Sequence, residues 1–114
     1  MKMDRNLNDD GIGKYAVINL RRLNDLCGHV GTFRRWTPAV EQALMTLENL
    51  EVLDWGRTGA PDEFFLIRLR DKHAMHALMA YHASVYKDDP EFANEVRDMA
   101  LRSGPFHPLC KAPD

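Results

Sequence analysis

Two segments of the chain constrain its fold more than any other feature, because both alternate their side chains and both follow one plan. Tyr15-Ala16-Val17-Ile18-Asn19-Leu20-Arg21 and Phe64-Phe65-Leu66-Ile67-Arg68-Leu69-Arg70 each open on an aromatic residue, continue through aliphatic ones and close on arginine. Successive side chains of a strand point to opposite faces, so a period of two predicts a half-buried β-segment. Ala16, Ile18 and Leu20 with Phe65, Ile67 and Leu69 then cover one sheet face beneath helices. Val52–Trp55 supplies a third short strand, joined to Glu63–Arg70 across Gly56, Gly59 and Pro61 as a hairpin. The residues that follow the two aromatic-led segments do not match, so they read as neighbouring strands and not as a duplication.

Helical signals fill most of the remainder. Leu23, Leu26 and Cys27 predict a short helix ending at Gly28. Thr37-Pro38 is a start signal, with a cap acceptor followed by a residue that has no N–H to waste. Val40, Ala43, Leu44, Leu47 and Leu50 then recur at helical spacing. Asp71 reads as the cap of a helix carrying Ala74, Ala77, Leu78, Tyr81 and Val85. Asp89-Pro90 opens a last helix, through Phe92, Val96, Met99 and Ala100, that stops near Gly104. The expected fold class is therefore α+β: a small antiparallel or mixed three-stranded sheet packed against three to four helices.

At 114 residues the chain has the size of one domain. Residues 1–12 read as a flexible lead-in, 13–104 as a single α+β domain, and 105–114, with its three prolines, as an irregular tail. A hydrophobic fraction of 45% and a charged fraction of 28% are those of an ordinary globular chain. The net charge of −2 supplies no long-range attraction to a phosphate backbone or an anionic bilayer. Two widely separated cysteines, Cys27 and Cys110, fit a reducing cytoplasm, and no apolar run has the length of a signal peptide core or a membrane span.

Motifs that would carry catalysis are weak. His73 and His76 stand three apart, as do His107 and Cys110, a spacing that can close a zinc site, but surface histidines are the simpler reading. Cys27 lies two residues from His29, which seldom gives nucleophile geometry. Gly11 and Gly13 precede a strand and do not join a strand to a helix, so they form no phosphate loop. No Gly-x-Ser-x-Gly elbow occurs. Asp62-Glu63 borders a turn, and Asp88-Asp89 complements a helix start. No catalytic residue, metal ligand or cofactor is assigned.

The second sheet face is the candidate binding surface. Alternation sets Tyr15, Val17, Asn19 and Arg21 beside Phe64, Leu66, Arg68 and Arg70, so rings lie next to guanidinium groups. Arg22, Arg34, Arg35 and Trp36 extend it if the connector folds alongside. The binding residues expected from this face are Tyr15, Asn19, Arg21, Phe64, Arg68 and Arg70. The plainer alternative is that a helix covers the rings and leaves the arginines at the rim. Ala80 and Ala83 leave a low-relief helix stripe that admits a second copy of the chain, although solvent exposure explains them as well.

The motifs Asp4-Arg5-Asn6, Gly13-Lys14-Tyr15-Ala16, Glu63-Phe64-Phe65, Leu69-Arg70-Asp71-Lys72 and Cys110-Lys111-Ala112-Pro113-Asp114 resemble a group of small uncharacterised proteins of tailed bacteriophages and prophages. The resemblance spans most of the chain and supplies no catalytic residues. It implies a product of the bacterial host cytoplasm, without catalysis or membrane attachment, that acts by binding a host protein or complex such as a host enzyme or defence component. A nucleic-acid-binding module using the aromatic and arginine face, and a minor virion or assembly component, are the alternative expectations.

Overall fold

A computed structural model describes residues 3, 9–27 and 36–113 of the chain. Its regular structure is helical: α1 (Leu20–Cys27), α2 (Pro38–Asn49), α3 (Ala74–Val85), α4 (Pro90–Ala100) and a 3₁₀ turn at Gly104–Phe106. Among the described residues there is no strand and no sheet. Only one isolated parallel bridge occurs, between Asp71 and Lys111. The α+β expectation is therefore overturned, and with it the strands at Tyr15–Leu20, Val52–Trp55 and Glu63–Arg70 and the hairpin. The chain divides into two compact units, one of Val17–Phe65 and one of Leu66–Asp114 together with Met1–Ala16.

In the Val17–Phe65 unit, Asn19 decides where irregular chain gives way to helix. Its Oδ1 accepts the Arg22 N–H at 3.0 Å and its carbonyl accepts the Leu23 N–H at 3.0 Å. That is N-cap geometry, and it ends the segment expected to be a strand after a few residues. Helix α2 begins at Thr37-Pro38 as expected, although the Thr37 hydroxyl makes no cap bond and only its carbonyl is used, by Glu41 N–H. Leu44 is the buried position of α2, with Val40 and Leu47 half-buried and Ala43 and Leu50 exposed.

The helix ends in a Schellman arrangement. Val52 N–H reaches Leu47 O at 3.3 Å and Glu51 N–H reaches Glu48 O at 2.9 Å. Glu51 takes the left-handed conformation, φ 58°, that this motif requires and that glycine adopts without steric cost. Beyond it the indole of Trp55 donates to Glu48 Oε1 at 2.8 Å. Two successive turns, Ala60 N–H to Arg57 O and Glu63 N–H to Ala60 O, both 3.0 Å, replace the expected hairpin ladder. The Phe64 ring closes over Gly56, where any Cβ would collide with it.

The other unit is organised by α3 and α4, which pack on each other. Asp71 acts just ahead of α3: its Oδ1 accepts His73 N–H at 2.8 Å and its carbonyl accepts Ala74 N–H at 2.9 Å. Asp89 caps α4 through Phe92 N–H at 3.1 Å. Ala74, Ala93, Val96, Met99 and Ala100 form the core, with Ser103 and Gly104 buried at its end. Alanines at the contact let the helix backbones approach closely. The His82 ring joins them through Nδ1, 2.7 Å from Ala93 O, and Tyr81 meets Phe92 edge-on at 6.3 Å.

The expected core residues of the sheet are largely outside this packing. Phe65 is 89% exposed, Ile18 46% and Ile67 38%, and Ala16 is exposed. The reason lies in where the backbone bonds go. Leu69 O accepts Gly104 N–H at 2.7 Å, Arg70 O accepts Lys111 N–H at 2.9 Å, and Lys72 N–H donates to Lys111 O at 2.9 Å. The C-terminal stretch, which the prolines mark as irregular, thus supplies partners that a neighbouring strand would otherwise provide.

Replacing Glu51 by glycine should raise stability by about 1 kcal/mol, because the left-handed penalty disappears while the cap bonds remain; urea unfolding measures it, and an unchanged or lowered midpoint would contradict the cap geometry. Gly104 combines φ 55° with a position where a Cβ would lie 3.3 Å from Lys72 O and from Met75 Cβ. Gly104→Ala should therefore cost about 1–3 kcal/mol in the same assay.

Candidate functional site

Helical spacing aligns Ala74, Ala77 and Leu78 on one side of α3. Together with Ile67–Arg70, the last two of which lie in a turn, Met99 of α4, and His107 and Leu109 of the C-terminal stretch, they line a cavity of about 490 Å³ within one unit. Its size is that of a small-ligand pocket, and its walls are mainly aliphatic, as such pockets usually are. Three polar side chains interrupt the walls: Arg68, Arg70 and His107.

All three offer hydrogen-bond donors. Nδ1 of His107 accepts the Leu109 N–H at 3.0 Å, which leaves the ring proton on Nε2. Arg68 is exposed, and Arg70 is half-buried with its Nε fully covered. A guanidinium carries five N–H donors, so either arginine can serve one partner and still present donors to another. Among the described residues no aspartate or glutamate lines the cavity.

The six residues expected to share a binding face are not brought together on a sheet, since the described residues form none. Tyr15, Arg68 and Arg70 belong to one unit, and Asn19, Arg21 and Phe64 to the other. Tyr15 is 73% exposed, with Lys14 Nζ 5.4 Å from its ring centre. Asn19 is used as a helix cap, Arg21 is exposed on α1, and Phe64 closes the turn at Gly56. Only Arg68 and Arg70 converge on a common feature, the cavity.

Arg34 and Arg35 lie outside the described residues, as does His29. His73 and His76 are exposed, and among the described residues no three histidine, cysteine or acidic side chains are placed to hold a metal ion. Cys110 is a free, exposed thiol. Asp62 accepts Gly56 N–H at 3.4 Å.

The sequence reading missed Ala77, Leu78, Met99, His107 and Leu109 as site residues. The helical period located the first three on their helices, but nothing local tells that residues 107–109 return to α3. His107 was considered only as a metal ligand.

No family model, curated protein or solved structure matches the chain. Among the described residues no helix is long and apolar enough to cross a membrane.

Ala77 is exposed at the cavity wall, so Ala77→Trp should place an indole there at little cost to folding. The expected change in unfolding free energy is within about 0.5 kcal/mol, as for ordinary surface substitutions; chemical denaturation measures it, and a loss of several kcal/mol would place Ala77 in the packed interior instead.

Proposed function

We propose that this chain is a small, non-catalytic accessory protein of the tailed-phage kind its short motifs resemble, acting in the bacterial host cytoplasm by binding a host protein. One observation carries the reading. Leu66 and Ile67 follow one another outside any helix, and both are exposed, 53% and 38%. Large apolar side chains in succession on a surface mark a place where another macromolecule docks. Among the described residues nothing bonds the backbone N–H groups of Leu66 and Ile67, so the segment offers main-chain donors as well as side chains. A segment with unbonded main-chain donors can pair with a partner's backbone.

Leu66 is exposed and is not part of the cavity lining, which makes Leu66→Asp a clean probe. Capture from bacterial lysate on the immobilised full chain should retain a host protein in near-stoichiometric amount, and Leu66→Asp should reduce its recovery at least tenfold with unchanged thermal stability. Recovery of chaperones alone, or equal recovery on the variant, would contradict the proposal.

A further inference from the structure

We infer that the face of α3 turned away from α4 joins two copies of the chain, the two α3 helices packing antiparallel about a twofold axis. This goes beyond the host-protein reading and uses a surface separate from Leu66 and Ile67.

α3 contains no aspartate, glutamate, lysine or arginine in its twelve residues. A surface helix sets charged side chains opposite its buried stripe, and a helix without them is normally covered on more than one side. One side of α3 is taken by α4: Ala74 is buried, the His82 ring reaches Ala93 O and Tyr81 meets Phe92. Helical spacing sets His76, Met79, Ala80, Ala83 and Tyr86 on the other side. All five are exposed, and the two large ones that would gain most from burial, Met79 and Tyr86, are 38% and 50% exposed. Tyr86, just past the last residue of α3, keeps helical dihedrals, φ −57° and ψ −40°, and so continues the row.

Two observations select a second copy, and the antiparallel arrangement, as what covers this face. The first is size. His76, Met79, Ala83 and Tyr86 follow one another at intervals of three, four and three, the spacing of a seam between two packed helices. Paired antiparallel, Met79 of one copy faces Ala83 of the other, so a long side chain meets a short one. Tyr86 then faces His76, and a phenol O–H meets a ring nitrogen able to accept it. Paired parallel, Ala83 would face Ala83 across a gap and Tyr86 would crowd Tyr86.

The second observation is charge. Lys72 stands just before α3 and Asp88 just after it, and both are exposed. An antiparallel pair brings the Lys72 end of each copy to the Asp88 end of the other, twice by symmetry, whereas a parallel pair sets like charge against like.

Sedimentation equilibrium of the full chain at pH 8 and low ionic strength tests the inference. A contact one helix long is smaller than a standard interface, so the chain should pass from monomer to dimer with a Kd on the order of 10–300 μM. Ala83→Glu sets a carboxylate in the seam and should raise Kd at least tenfold with an unchanged far-ultraviolet circular dichroism spectrum. Lys72→Glu should weaken the dimer at least threefold, and Lys72→Glu combined with Asp88→Lys should restore it. Leu66→Asp should dimerise as the wild type does. A chain that stays monomeric up to about 1 mM, a concentration well above that range, would overturn the inference. So would normal dimerisation of Ala83→Glu, no effect of Lys72→Glu, or a double variant no better than the single one. A monomeric chain that captures a host protein through this face, with capture lost in Ala83→Glu, would also overturn it, because the occupant would then be a different protein.

Discussion

The backbone bonds that tie residues 69–72 to residues 104–111 are the constraint from which the larger described unit follows. Leu69 and Arg70 give their carbonyls to Gly104 and Lys111, and Lys72 returns an N–H to Lys111 O. These bonds fix the entry to α3 against the chain leaving α4. Gly104 can meet Leu69 because it adopts a positive φ and has no Cβ, and the buried Ser103 before it is satisfied by Ala100 O at 2.7 Å. With both ends held, Ala74, Ala93, Val96 and Ala100 bury completely or almost so although most are small. The contribution of each is modest, and the close approach of α3 and α4 makes their packing collective.

That clamp also explains the open surface. Residues 69–72 are engaged by the C-terminal stretch, whereas Leu66 and Ile67, only a few positions earlier, meet no backbone partner among the described residues. The same arrangement creates the cavity, because His107 and Leu109 are carried past α3 as the chain reaches Lys111. Exposed apolar chain and donor-lined hollow are therefore two results of one set of bonds. The two are continuous along the sequence, since Ile67 belongs both to the exposed stretch and to the cavity wall.

The helices were legible in the sequence. Thr37-Pro38 and Asp89-Pro90 open α2 and α4 where the start signals stand, and the apolar spacing found Leu44, Ala74, Val96, Met99 and Ala100 as buried positions. The strands were not, because alternation and β-propensity state only that a segment would fit a sheet, and a sheet needs a partner. Asn19 was placed on a strand face when its side chain was a cap, a signal present in the sequence and read the other way. The role of the C-terminal stretch is non-local, and its prolines concealed it. Of the expected binding residues, Arg68 and Arg70 were found for a different reason from the one that makes them converge: they line a cavity and not a sheet face.

Amide hydrogen exchange, followed residue by residue by NMR, tests the central claim most directly. If backbone closure by the C-terminal stretch organises the unit and leaves the preceding segment open, the amides of Val96, Ala100, Gly104 and Lys111 exchange slowly as one cooperative group. The amides of Leu66 and Ile67 then exchange close to the rate of unstructured chain. Slow exchange of Leu66 and Ile67 at the level of Val96 would mean that they are paired in a sheet after all, and the account of both surface and cavity would fail.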